Sequence, residues 1–135
     1  MRMGALFKLR VEGLVILLLI GTMIWTSCGN GEEPAHRETQ PPEVYITHGP
    51  VLPQHGDHIE FVAAADDESG VDTIAIFVNG ENVKQCQGSR ANTHLQCTQV
   101  LGPYNQGQIV EYWAFAVDCE GNTAQSNTRR IEVGQ

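Results

Sequence analysis

The sequence predicts an all-β fold, a seven-stranded antiparallel sandwich over residues 43–135. Three observations carry that expectation. No stretch beyond residue 42 sustains a 3.6-residue apolar repeat, so amphipathic helices are not encoded. Short runs rich in Val, Ile, Phe and Tyr alternate with polar residues, the period of a half-buried strand. Each run ends in Gly, Pro, Asn or Asp, the residues that tight turns require.

Val44 to Thr47 reads as the first strand. His58 to Ala65 is the second, with Ile59, Phe61, Ala63 and Ala65 on one side. The acidic turn Asp66-Asp67-Glu68-Ser69-Gly70 leads into a third strand, Val71 to Asn79. Asn79-Gly80 is a hairpin signal, because both residues accept positive φ. Glu81 to Cys86 returns as a short fourth strand, and Thr93 to Val100 makes the fifth. After the turn-rich segment from Gly102 to Gly107 comes the longest strand, Ile109 to Asp118. Glu120-Gly121-Asn122 turns it into a last strand ending near Val133.

Tyr112, Ala114, Ala116, Asp118 and Gly121 stand at the spacing Y-x-A-x-A-x-D-x-x-G. This resembles the sixth strand and following turn of fibronectin type III and bacterial immunoglobulin-like domains. Asp66 to Val71 with Ile74, Ile76 and Val78 is similar to the second turn and third strand of the same families. Ala116 to Ala124 is similar to the A-x-D-x-x-G-N-x-A ending of bacterial versions. The resemblance implies an immunoglobulin-like sandwich and little about function, since that fold hosts many roles. It also makes Tyr112 a candidate tyrosine corner, its hydroxyl bonded back to nearby backbone.

At the other end of the chain, Arg2, Lys8 and Arg10 precede an apolar run from Leu14 to Ile24, then Thr26, Ser27 and Cys28. The apolar stretch is too short to cross a bilayer core, which needs about 20 residues. Basic, apolar and small residues in that order make a signal peptide. The segment resembles a bacterial lipoprotein signal with its lipobox, although Trp25 stands where the motif has an aliphatic residue. The resemblance implies a signal peptide over 1–27, lipid on Cys28 and an extracytoplasmic, membrane-held mature chain. Gly29 after the cysteine resembles an outer-membrane sorting signal in a host with two membranes. An uncleaved anchor and ordinary secretion are the alternatives.

Residues 28–42 read as the lipidated cysteine and a flexible tether, because Glu32, Glu33, Pro34, Glu38, Pro41 and Pro42 carry no apolar periodicity. Removing residues 1–27 takes away Arg2, Lys8 and Arg10 but only Glu12, so the formal charge falls from −8 to −10. That balance excludes nucleic acid as a partner, since phosphates are neutralised by Lys and Arg.

With Cys28 assigned to lipid, Cys86, Cys97 and Cys119 remain. Outside the cytoplasm two of them are expected to pair. Cys86 and Cys97 flank the polar loop Gln87 to Gln96, and the family resemblance supports a bridge there. Zinc is the rival reading, though no C-x-x-C is present. Cys119 is left as a spare thiol or an intermolecular partner.

Three groups of residues are candidate sites. In an immunoglobulin-like sandwich the two acidic turns share one end, which would bring Asp66, Asp67 and Glu68 near Asp118 and Glu120 as calcium ligands. The simpler reading is that Asp and Asn serve the turns themselves. His48, His55 and His58 around Asp57 have transition-metal ligand types, but on a loop that fixes no common direction. If Tyr112, Ala114 and Ala116 point inward, Trp113, Phe115 and Val117 point outward, and Phe77 joins them from the third strand. A contiguous aromatic patch of this kind marks an interaction surface unless it is covered. Enzyme motifs are missing: there is no G-x-S-x-G, P-loop, H-E-x-x-H or dinucleotide fingerprint.

The sequence thus implies a lipid-anchored domain at the bacterial cell envelope that binds an envelope protein or glycan through Phe77, Trp113 and Phe115. A spacer or accessory subunit without a ligand, and a calcium-stabilised adhesion module, are the alternatives.

Overall fold

A computed structural model describes residues 28 and 39–135; the expected signal segment 1–27 and tether residues 29–38 fall outside them. Eight strands follow one another: β1 Glu43–Gly49, β2 Ile59–Asp66, β3 Val71–Val78, β4 Glu81–Gln87, β5 His94–Leu101, β6 Ile109–Asp118, β7 Thr123–Gln125 and β8 Arg129–Glu132. They form two sheets, one ordered β1-β2-β5 and the other β4-β3-β6-β7, with β8 also paired to β6. Every strand pairing is antiparallel.

Period-two alternation builds the interior. On β2, Ile59, Phe61, Ala63 and Ala65 are fully buried, and on β6 Val110, Tyr112, Ala114 and Ala116 are too. Ile74, Ile76 and Val78 fill from β3, and Ile46 from β1. The alanines make room for the rings: Phe61 and Tyr112 meet with centroids 5.1 Å apart. Burying such side chains is worth about 1.5–3 kcal/mol each for the larger ones. Between β3 and β4, Asn79 and Gly80 take φ of 51° and 84°, the left-handed pair that a two-residue hairpin demands.

The expected single last strand is two. Ser126, buried between β7 and β8, accepts a hydrogen bond from Ala114 N at 2.9 Å through its hydroxyl, and its own N–H donates to Ala114 O at 2.9 Å. A side-chain oxygen thus replaces a backbone carbonyl in the ladder, and the strand breaks over 126–128. This makes eight strands where the sequence predicts seven.

The tyrosine corner is also corrected. The Tyr112 hydroxyl lies 2.5 Å from His48 Nδ1 on β1, not on nearby backbone, and the two rings meet edge-on at 5.4 Å. β1 extends two residues past Thr47 and carries His48 over Tyr112, so the partner comes from the opposite sheet.

The two ends of the sandwich differ. Glu43 pairs with Asp66, so the chain enters β1 at the end that holds the β2–β3, β4–β5 and β6–β7 connections. The opposite end carries the β1–β2 loop, whose Val51 and Leu52 are 79% and 77% exposed.

Candidate binding face

The outer face of the β4-β3-β6-β7 sheet gathers the aromatic residues. Phe77 and Trp113 stand opposite one another on β3 and β6, stacked with ring centroids 3.9 Å apart and planes within 3°. Phe115 lies two residues along β6, opposite Ala75. All three aromatics are half-buried.

Register extends the face into rungs. Asn82 of β4 pairs with Phe77, and Gln85 pairs with Ala75. On the other side, Gln125 and Thr123 of β7 pair with Phe115 and Val117. The break between β7 and β8 falls beside Trp113, between Tyr112, which pairs with Arg129, and Phe115. No residue of these rungs is charged, although the chain carries −8 overall. An aromatic ridge bordered by amides and hydroxyls can desolvate against an apolar surface and offer hydrogen bonds at its margin. The amides Asn82, Gln85 and Gln125 were not among the sequence candidates. Alternation on the fourth and last strands would have found them, once neighbouring strands were assigned.

The acidic turns are not gathered into one cluster. Asp118 is 2% exposed, and its carboxylate accepts from Glu120 N at 2.8 Å, Asn122 N at 2.8 Å and Asn122 Nδ2 at 2.7 Å. It closes the β6–β7 turn. Asp67 Oδ1 accepts from Ser69 N and Ser69 Oγ at 2.8 and 2.6 Å. Asp66 faces His94 at 2.7 Å, and Glu120 pairs with Arg90 at 2.6 Å. Asp66, Asp67 and Glu68 instead line an open depression of about 640 Å³ with Glu43, Gln40 and Pro41. Each carboxylate of the expected calcium set except that of Glu68 is thus engaged within the protein, and Asp118 and Glu120 lie outside the depression.

The histidines also separate. His48 turns inward to Tyr112, His55 accepts from Gln106 N at 3.4 Å, and Asp57 accepts from Gln54 N at 2.8 Å. Among the described residues, one set of three metal-capable side chains converges, with ligand atoms within 4.8 Å: Cys28, Asp72 and Cys119.

All four cysteines are bonded. Cys86 joins Cys97 with Cα atoms 5.7 Å apart, linking β4 to β5 and so one sheet to the other. That bond removes both thiolates a zinc site would use. Cys119, expected as a spare thiol, is bonded to Cys28. Sequence spacing gave no sign of this pair, whose members are 91 residues apart. Two disulfides place the chain in an oxidising, extracytoplasmic setting.

Desolvation raises the hydroxyl pKa of Tyr112 and Tyr104 above 10.0, and for Tyr112 the nearby Arg129 pulls in the opposite direction. No helix of the described residues is long and apolar enough to cross a membrane. A scan against family models finds no match to the chain, and neither does a search of curated proteins.

Proposed function

We propose that this chain is an envelope lipoprotein that presents an immunoglobulin-like domain for recognition, with the outer face around Phe77, Trp113 and Phe115 as its contact surface. The observation that carries the reading is the uncharged rung set on a strongly acidic chain: three aromatics side by side, flanked by Asn82, Gln85 and Gln125. Such a face suits a largely neutral partner surface, protein or glycan, because its aromatic and amide rungs carry no charge and the next rung along β6 pairs the opposite charges Glu111 and Arg130. The sheet order supports the immunoglobulin-like assignment, since three strands (β1-β2-β5) face a sheet led by β4-β3-β6. The anchor reading draws on the order of basic, apolar and small residues before Cys28.

One observation favours the second reading, a spacer or accessory subunit without a ligand. Phe77 and Trp113 stack on each other and so satisfy one face of each ring internally. The two readings separate in one comparison. The unlipidated chain from Cys28 onward is tested against purified cell-wall glycan and against envelope extract, beside a Trp113→Ser, Phe115→Ser variant. Recognition through this face predicts capture that the variant loses while keeping its circular dichroism; equal capture by both, or none, favours the spacer.

A further inference from the structure

Cys119 opens the β6–β7 turn, and its N–H donates to Gly70 O at 2.8 Å. Gly70 sits against the backbone of the β4–β5 loop: a Cβ there would meet Arg90 Cα at 2.6 Å and Ser89 O at 2.7 Å. Arg90 in turn pairs with Glu120, the neighbour of Cys119. Three connections thus lock together around Cys119, which holds its sulfur in a packed corner. Cys28 reaches that corner with its Cα 5.4 Å from that of Cys119, a separation that disulfides commonly span.

The sulfur of Cys28 can form only one covalent bond beyond its own Cβ. A thioether to lipid and a disulfide to Cys119 therefore exclude each other. We propose that Cys28 has two alternative covalent fates, lipid thioether or disulfide, and that Cys119 is the intramolecular partner that takes the sulfur when lipid does not. The inference rests on the anchor reading above for its first fate and on the Cys28–Cys119 bond for its second.

Asp72 is a second observation at the same corner. Its Oδ2 accepts from Thr73 Oγ1 at 3.0 Å, while Oδ1 is buried and lacks a hydrogen-bond partner among the described residues. A carboxylate oxygen of Asp72 lies within 4.8 Å of both sulfurs. A disulfide has no hydrogen to donate, whereas a Cys119 thiol is a weak donor. In the lipidated form the Cys119 thiol, a weak donor, stands within 4.8 Å of an Asp72 carboxylate oxygen, where the bonded form has no S–H.

The chemistry balances on each branch. In lipidation the Cys28 sulfur displaces the headgroup phosphate of a glycerophospholipid: a carbon–sulfur bond forms, a carbon–oxygen bond breaks, and the thiol proton leaves with the phosphate. In oxidation the thiols of Cys28 and Cys119 exchange with the disulfide of a thiol oxidant. Their two hydrogens and two electrons reduce that disulfide to a dithiol, and the sulfur–sulfur bond forms here. The first branch gives an anchored domain with a free Cys119. The second gives a domain without acyl chains and without free thiols.

The test uses the full chain expressed in a bacterium that processes lipoproteins, beside a chain whose residues 1–27 are replaced by a general secretory leader. Both are unfolded in denaturant and labelled with a maleimide polymer, without and with reduction, and then mapped by mass spectrometry. The membrane-extracted chain is expected to carry diacylglycerol on Cys28 and one label, on Cys119, before reduction. The secreted chain is expected to take no label before reduction, to take four after it, and to yield a linked Cys28–Cys119 peptide. A Cys119→Ser variant should lipidate normally, and its secreted form should expose one thiol or dimerise through Cys28. A lipidated chain with no labelled Cys119, or a secreted chain with both thiols labelled, overturns the proposal. A membrane chain without diacylglycerol but with the linked peptide overturns the lipid branch and the anchor reading, leaving the disulfide intact.

Discussion

The Tyr112 hydroxyl and His48 Nδ1 lie 2.5 Å apart, joining an inner strand of one sheet to an edge strand of the other. Tyr112 is fully buried and His48 half-buried, so neither group can exchange its partner freely for water. Tyr112→Phe keeps the ring packed against Phe61 and removes only the oxygen. The expected loss is about 1–2 kcal/mol, the usual penalty for orphaning a buried polar group. Urea unfolding of Tyr112→Phe, His48→Ala and the double variant measures it. Additive single effects would show that the contact contributes nothing.

Alkaline pH tests the same region. Burial raises the folded-state pKa of Tyr104 and Tyr112 above 10.0, the value an exposed tyrosine takes in the unfolded chain. The folded state therefore holds these protons more tightly than the unfolded state does. Their contribution to stability is fully present below pH 10 and is lost as pH rises through the raised folded values. Stability measured by urea is expected to fall above pH 10, and to fall less steeply in the Tyr104→Phe, Tyr112→Phe double variant. Identical slopes above pH 10 would assign the loss to other groups.

The bridge between the sheets has a measurable worth. Cys86 and Cys97 are 11 residues apart, and closing a loop of that size in the unfolded chain gives about 3 kcal/mol in the chain-entropy account. Cys97 is 1% exposed, so the test substitution is Ala at both positions, which buries no new hydroxyl. The double variant is expected to lose about 3 kcal/mol, seen as a fall of roughly 1–3 M in the urea midpoint. A loss below about 1 kcal/mol would mean that β4 and β5 are held together by packing alone.

The parts of this molecule that were legible in the sequence are those set by neighbours one or two residues away. Alternation alone placed Ile59, Phe61, Ala63 and Ala65 inside, and put Trp113 and Phe115 on the opposite side of β6 from Tyr112. The same rule set Phe77 beside Trp113 once β3 and β6 were taken as neighbours. What escaped depends on distant partners. His48 meets Tyr112 across 64 residues, and Cys28 meets Cys119 across 91. The strand break at Ser126 escaped because a hydroxyl took a carbonyl's place in the ladder, which no pattern of apolar residues records. The acidic turns were ambiguous for the opposite reason. Asp67 and Asp118 have the residue types of calcium ligands, yet each accepts from its own turn.

Asp118 separates these two roles. It accepts three hydrogen bonds while 2% exposed. Asp118→Ala strips the turn of its acceptor and is expected to cost about 2–4 kcal/mol. Asp118→Asn keeps an acceptor for the backbone N–H groups, so the expected cost is less than half as large. Millimolar calcium should leave the midpoint of the wild-type chain unchanged, because the turn's own N–H groups occupy this carboxylate. A calcium-induced rise in midpoint that Asp118→Asn abolishes would restore the metal reading.

Trp25 and Trp113 are the only tryptophans of the sequence. A chain that starts at Cys28 therefore reports the candidate binding face through one fluorophore. Trp113 is half-buried and stacked on Phe77 at 3.9 Å, so acrylamide should quench it to an intermediate degree. Phe77→Ala removes the stack, at an expected cost of about 0.5–1.5 kcal/mol beyond lost area, and should raise the quenching constant. A partner that docks on this face must cover the exposed edge of the indole, shifting its emission to shorter wavelength and lowering quenching. Phe115→Ser should weaken that response several-fold with little change in Trp113 emission before the partner is added, because Phe115 lies opposite Ala75 and not in the stack. A partner that binds the chain without moving Trp113 emission or its quenching occupies another surface, and the outer aromatic ridge is then only a means of holding β3 to β6.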